Sequence, residues 1–287
     1  MVAELPQEIV DKIIDEIALD LCGDVRESRV RDMKMFSLVS PEWLHRSRMH
    51  LFHTMEITSD SFPRWCETVR PGVEGPSRHI AYIRYKPSWP EVERKIGPLE
   101  GLAHCPSHMS GFINLQTLHF VTISLEHAGY MTCFGGLTLV VRELWLEDCQ
   151  MDINQFVSFI RPFTKLERLR LMRPQCLEES KLRDSVLMER PPLRGILEFH
   201  QPRRAASKDI VSFIYELSRV PSYLDTIVFR ERLDSPKAAN ELLAASRRTL
   251  TKLTFGHNSE PDFPCQNHDC QFTAPRYHFQ LSPMAST

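Results

Sequence analysis

The feature that most constrains this 287-residue chain is one apolar pattern that recurs six times. Leu115-x-x-Leu118-x-Phe120, Val141-x-x-Leu144-x-Leu146, Leu166-x-x-Leu169-x-Leu171, Arg194-x-x-Leu197-x-Phe199, Leu224-x-x-Ile227-x-Phe229 and Leu250-x-x-Leu253-x-Phe255 share one form. From Leu118 to Leu253 the middle positions step by 26, 25, 28, 30 and 26 residues. Each copy ends on strand-like alternation. The gaps hold helical stripes: Phe156, Val157 and Ile160; Ile210, Val211, Ile214 and Leu217; Ala238, Leu242 and Leu243. Their starts are expected at Asp152, Ser207 and Ser235. A strand and a helix of this size cannot each bury an apolar face alone, but stacked copies can. The expectation is an α/β fold with parallel strands and helices on the outer face.

Upstream of the repeats, Thr54–Ile57 and His79–Tyr85 read as strands, the latter with Ile80 and Ile83 as apolar positions. Phe62 and Trp65 suggest one helical turn, ended by Pro71-Gly72. Residues 86–110 are rich in Pro and Gly and predict an irregular excursion. The repeat domain therefore spans 54–259. Residues 260–287 carry four prolines, Pro261, Pro264, Pro275 and Pro283, and predict a loose cap or tail.

The first fifty-three residues differ in character. Ile9, Ile13, Ile17 and Leu21 recur every four positions with Val10 and Ile14 beside them, so one helix face is apolar, while Glu8, Asp11, Lys12, Asp15 and Glu16 occupy the other. Pro6 suits a first helical turn, where its missing N–H would have no partner. A second helical run, carrying Met33, Phe36 and Leu38-Val39, is expected to stop at Ser40-Pro41. There Ser40 serves as N-cap and Pro41 as the first residue of a third helix with Trp43, Leu44 and Leu51.

Leu5-Pro6-x-Glu8-Ile9, then Ile13-Ile14, then Leu38-Val39-Ser40-x-x-Trp43, in this order, resembles the F-box. The likeness covers about a sixth of the chain, and the polar stretch from Asp20 to Asp32 is longer than the family's usual linker. In that family a three-helix module docks on the Skp-type adaptor of a cullin-RING ubiquitin ligase, and the rest of the chain selects a substrate. The resemblance thus implies adaptor contacts from Leu5, Pro6, Ile9, Ile13, Leu38, Val39, Ser40 and Trp43. The six copies in turn resemble an irregular leucine-rich-repeat solenoid of the kind found behind an F-box. That family places Asn or Cys a few residues after each strand to tie the loop backbone. Cys149 and Asn258 fit; Ile123, Pro174, Pro202 and Arg232 stand there in the other copies.

If Leu118 and Phe120 point inward, alternation turns Thr117, His119 and Val121 outward, then Glu143, Trp145 and Glu147, then Arg168, Arg170 and Met172. Later strands add Glu198 and His200. A tryptophan flanked by arginines has the composition of a binding hot spot, because it offers large apolar area at low entropy cost. Glu143, Trp145, Glu147, Arg168 and Arg170 are the candidate substrate-facing residues. Cross-strand pairing of Glu143 with Arg168, and stacking of Trp145 on Arg170, would itself contribute about 0.2 to 1 kcal/mol per pair.

Composition removes other classes. Lys plus Arg number 35 against 37 Asp plus Glu, so no global field would steer the chain to nucleic acid or an anionic membrane. No run approaches a membrane span and no secretion signal opens the chain, so a cytoplasmic or nuclear protein is expected, with its eight scattered cysteines mostly reduced. Cys265-x-x-His268-x-Cys270, near His257 and His278, matches no strong zinc spacing, and no metal or cofactor is assigned. Phosphate-loop, nucleophile-elbow and zincin signatures are missing, and none of the 12 histidines is given a catalytic role. The reading is a non-enzymatic substrate-recognition subunit of an SCF-type ligase. Its alternative is a repeat scaffold outside the ubiquitin pathway, with the N-terminal helices serving as a cap.

Overall fold

The computed structural model describes residues 6–20, 26–58, 61, 64, 76–87, 112–125, 137–176, 181–183, 193–200, 208–220, 222–229, 236–255 and 277–280. Leu5, the turn expected around Phe62 and Trp65, nearly all of the 86–110 excursion, Asn258 and most of the 260–287 tail lie outside the described residues.

Three helices open the chain: α1 (Gln7–Asp20), α2 (Arg26–Phe36) and α3 (Pro41–Phe52). The second ends at Phe36, four residues before Ser40, so Leu38 and Val39 sit in a turn rather than in the helix the sequence suggested. Ser40 has the extended backbone of an N-cap and Pro41 opens α3, although the serine side chain makes no capping bond. Val10, Ile14 and Met33 form a small core, against which Ile17, Phe36, Trp43 and Leu51 pack. Phe36 and Trp43 meet with ring centroids 5.5 Å apart. On the polar side of α1, Asp15 holds Arg46 through two bonds of 2.5 and 2.7 Å, and His50 through one of 2.7 Å, clamping α1 to α3. These partners draw the Asp15 carboxyl down to about 2; the Arg46 bond is the largest cause, with partial burial opposing it.

The last turn of α3 joins the second layer directly. Phe52 packs on the main core, and the His53 carbonyl accepts from the backbone N–H groups of Ala81 and Tyr82. Strands β1 (Thr54–Thr58), β2 (Tyr82–Lys86), β3 (Thr117–Val121), β4 (Glu143–Glu147), β6 (Arg168–Met172), β8 (Leu193–His200), β9 (Ser222–Phe229) and β10 (Lys252–Phe255) lie side by side in chain order. Every pairing among these eight is parallel. The tail adds β11 (Tyr277–Gln280) antiparallel to β10, so part of the segment expected to be loose is an edge strand. His79 belongs to a single 3₁₀ turn, Pro76–His79, rather than to the strand that follows. The chain is an α/β protein.

All six sequence copies fall on sheet strands, and the structure adds two. Phe52-x-x-Met55-x-Ile57 and Ile80-x-x-Ile83-x-Tyr85 have the same spacing, and the apolar side chains of β1 and β2 are buried with the others. Helices α4 (Ile153–Ile160), α5 (Lys208–Ser218) and α6 (Pro236–Ser246) cover the inward face. Phe159 of α4 meets Phe120 of β3 edge-on at 5.4 Å, and Phe156 meets Phe213 of α5 at 5.2 Å. Asp152 starts α4 as expected: its carboxylate accepts from the N–H groups of Asn154 and Gln155, and the Gln155 side chain accepts from the Asp152 N–H.

One turn device recurs after the strands. Thr122, Asp148 and Arg173, each the first residue beyond its strand, have positive φ of 56°, 52° and 49°. L-residues adopt this left-handed conformation at a cost, so it is found where the surroundings hold it. Here each donates its N–H across the sheet, to Glu147, Met172 and His200 respectively. Beyond the turn, the short strands β5 (Gln150–Met151) and β7 (Gln175–Cys176) pair in parallel. Cys149 is fully buried within this turn, and its thiol donates to the carbonyls of Glu147 and Phe120 at 3.4 and 3.6 Å. It thus ties the loop backbone of one copy to its neighbour.

Candidate protein-interaction surfaces

Two surfaces gather the residues singled out from the sequence. The first is on the N-terminal helices. In α1 the face turned into the small core is centred on Val10 and Ile14, so Ile9 lies on the outer side and is 45% exposed, with Ile13 half-buried between. Leu38 and Val39 in the turn after α2 are 79% and 60% exposed, and Met35 is 61% exposed. The Gln7 amide donates to the Glu42 carbonyl at 3.2 Å, which sets the first turn of α1 beside the first turn of α3, immediately after that exposed turn. Pro6 is exposed at the same end. Ser40 and Trp43 are partly covered, and Trp43 belongs to the small core rather than to the open face. Large apolar side chains standing out together in this way mark a contact site more often than a solvated surface.

The second surface is the sheet face opposite α4–α6. The register aligns Arg84, His119, Trp145, Arg170 and Glu198 in one row across β2, β3, β4, β6 and β8, with Glu143 and Arg168 one step before them and Glu147 and Met172 one step after. The five candidate residues Glu143, Trp145, Glu147, Arg168 and Arg170 are therefore contiguous. The cross-strand pairs anticipated from alternation are made: Arg168 reaches Glu143 at 3.0 Å, and the Arg170 guanidinium carbon sits 4.2 Å above the Trp145 ring. The indole N–H donates to Glu143 at 3.3 Å.

Beneath the tryptophan lies a buried chain of polar groups that alternation alone does not disclose. His119 counts as outward-facing yet is almost fully buried, its ring 5.3 Å from the indole and packed edge-on against Tyr82. Its Nε2 lies 2.9 Å from a Glu147 carboxylate oxygen, and its Nδ1 meets the Tyr82 hydroxyl. A carboxylate can only accept, so Nε2 carries a proton toward Glu147, while Nδ1 shares the second hydrogen bond with the Tyr82 hydroxyl. The Tyr82 phenol is pushed up to about 12 by burial, so it remains a donor. Glu147 also accepts from Arg173 at 2.6 Å and lies 3.5 Å from Arg84. The His119 bond leads the causes that bring its carboxyl down to about 2, against the opposing effect of burial. At the other edge of the row, Glu198, with a side chain only 7% exposed, receives Arg170 at 3.1 Å and lies 3.7 Å from Arg168. The arrangement is a braced, mixed-charge platform with one indole, one guanidinium and the Arg168–Glu143 pair on its open side.

Among the described residues no group of three His, Cys, Asp or Glu is placed to hold a metal ion, and no helix is long and apolar enough to cross a membrane. Compared with protein-family models and with curated proteins, the chain gives no match.

Proposed function

We propose that this chain is the substrate-recognition subunit of an SCF-type cullin-RING ubiquitin ligase. Helices α1–α3 dock on the Skp-type adaptor through Ile9, Leu38 and Val39, with Pro6 at the same end, and the sheet face around Trp145 holds a protein substrate. The observation that carries this reading is the exposure of Leu38 and Val39 on a module that already has a core of its own around Val10, Ile14 and Met33. A cap serving only the repeats would turn those side chains toward the repeats. The strands in chain order, the left-handed residue closing three of them and the Cys149 tie support an irregular leucine-rich-repeat solenoid as the carrier of the substrate face.

The mechanism in this reading is proximity. Holding a substrate beside a recruited ubiquitin-conjugating enzyme raises its effective concentration, and the chain itself makes or breaks no bond. Fully burying each of Ile9, Leu38 and Val39 supplies about 1.5 to 3 kcal/mol, of which the loss of rotational and translational freedom removes a large part. The test is calorimetric titration of the full chain with a purified Skp-type adaptor, beside Leu38→Asp/Val39→Asp. Micromolar or tighter binding that the double substitution abolishes, with unchanged circular dichroism, is the expected result. A well-folded wild-type chain that ignores the adaptor sinks the proposal and leaves a repeat scaffold outside the pathway.

A further inference from the structure

Away from the Trp145 face, and reaching Pro41 at the edge of the N-terminal surface, a cavity of about 750 Å³ opens between α3 and the 3₁₀ turn before β2. Its size falls in the range of small-molecule sites, about 300 to 1,000 Å³. One part of the lining is cationic: His45 and Arg48 come from α3, and Arg78 and His79 from the 3₁₀ turn. The two imidazoles meet edge-on with centroids 5.6 Å apart. Apart from Asn114 the rest is apolar, with Phe52 and the 58% exposed Ile113 among it, and no carboxylate is among the described residues of the lining. Burial, and then the charges of His45, Arg78 and Arg48, hold the proton affinity of His79 below the usual imidazole range. Two guanidiniums, Arg48 and Arg78, and two imidazoles able to donate an N–H thus share a single concave space.

A dianion draws on both guanidiniums and on the imidazole N–H donors at once, whereas a neutral or cationic guest does not. The apolar lining in turn rewards a ligand with a hydrocarbon body over a bare ion. We infer that this cavity is a binding site for a small organic phosphate monoester, its phosphate on His45, Arg48 and His79 and its apolar body against Phe52 and Ile113. None of the residues assigned to the ligand is among the proposed adaptor contacts or on the Trp145 face.

The test is calorimetry on the full chain with phenyl phosphate, inorganic phosphate, benzyl alcohol and a phosphotyrosyl peptide. Phenyl phosphate is expected to bind one to one, at least tenfold tighter than inorganic phosphate or benzyl alcohol. Arg48→Glu, an exposed substitution on α3, should weaken it at least tenfold, and Ile113→Asp should erase its advantage over inorganic phosphate. Equal affinity for phenyl phosphate and inorganic phosphate overturns the inference, as does binding indifferent to Arg48→Glu in a folded chain. A peptide bound tenfold tighter than phenyl phosphate overturns the assignment to a small molecule.

Discussion

His119 reaches Glu147 from the neighbouring strand at 2.9 Å, under the indole of Trp145, and the two side chains brace the open face of the sheet from below. The carboxyl titrates at about 2 in the folded chain and in the ordinary range, near 4.5, when unfolded. A lowered folded pKa gives stability that is whole above the unfolded value and is lost as pH falls. Stability should therefore fall between about pH 4.5 and pH 2. Glu147→Gln should cost on the order of 2 kcal/mol at neutral pH and flatten this acid limb. Urea unfolding between pH 2 and 7 reads both effects; an unchanged limb in the variant would assign the acid sensitivity elsewhere.

Arg170 serves two partners, the Trp145 ring above and the Glu198 carboxylate beside it. Arg170→Ala should cost about 2 to 3 kcal/mol, since it removes a stacking partner and weakens the neutralisation of a nearly buried carboxylate. Arg170→Ala/Glu198→Gln should recover part of that loss. A double-mutant cycle by chemical denaturation measures the coupling, and additive losses would show that the two groups do not depend on each other.

Gly195 has φ of +73° at the register shift between Gly195 and Ile196 in β8. A Cβ there would lie 2.1 Å from the Glu167 carbonyl oxygen, the same oxygen that accepts the Ile196 N–H. Gly195→Ala is expected to cost more than about 2 kcal/mol, because backbone on both sides must move. Thermal unfolding of the variant checks this; a melting point within a degree of wild type contradicts it.

The clamp at Asp15 makes a separate acid prediction for the helices. Its carboxyl is lowered from the ordinary 3.8 to about 2, so the α1–α3 tie is intact above about pH 4 and is lost toward pH 2. The pair is partly solvated, which discounts its worth, and Asp15→Asn should cost only about 1 kcal/mol. Hydrogen exchange should show the loosening in α1 and α3, with the sheet protected as before.

Cys149 and Cys176 should differ in reactivity. Burial pushes the Cys149 thiol up to about 12, so it carries almost no thiolate at neutral pH, whereas Cys176 is only partly covered. Alkylation followed by mass spectrometry should label Cys176 well before Cys149 under native conditions, and both alike in urea.

Much of the sheet was legible because its strands carry a period of two at a spacing that chance does not produce, and inward residues such as Leu144 and Leu146 repeat the rule of Leu118 and Phe120. The first two strands are legible as strands but not as copies of the repeat, because Met55 and Tyr85 replace the usual Leu and Phe, and because the steps across them, 28 and 35 residues between Met55, Ile83 and Leu118, are uneven. Arg194 breaks the fourth copy for a visible reason: next to the register shift at Gly195, the neighbouring Leu193 takes the buried place. The five substrate-facing candidates followed from alternation alone. Its failure at His119 is instructive, since an outward residue can still be buried when larger neighbours, here Trp145 and Tyr82, close over it. In α1 the four-residue spacing located the helix but chose the wrong centre for its stripe, because Val10 and Ile14 rather than Ile9 meet α2 and α3.

The chain-order sheet carries a further consequence for growth. Within the main sheet each strand pairs only with the sheet strand before it and the sheet strand after it, so the long-range pairings close loops of a few dozen residues and never join the two ends. Duplicating or deleting one strand with its return segment would change the length of the face by about 4.8 Å, the distance between neighbouring strands, and leave every other row in register. A family descended from such a chain could fit longer or shorter targets by counting units, without redesigning any of them.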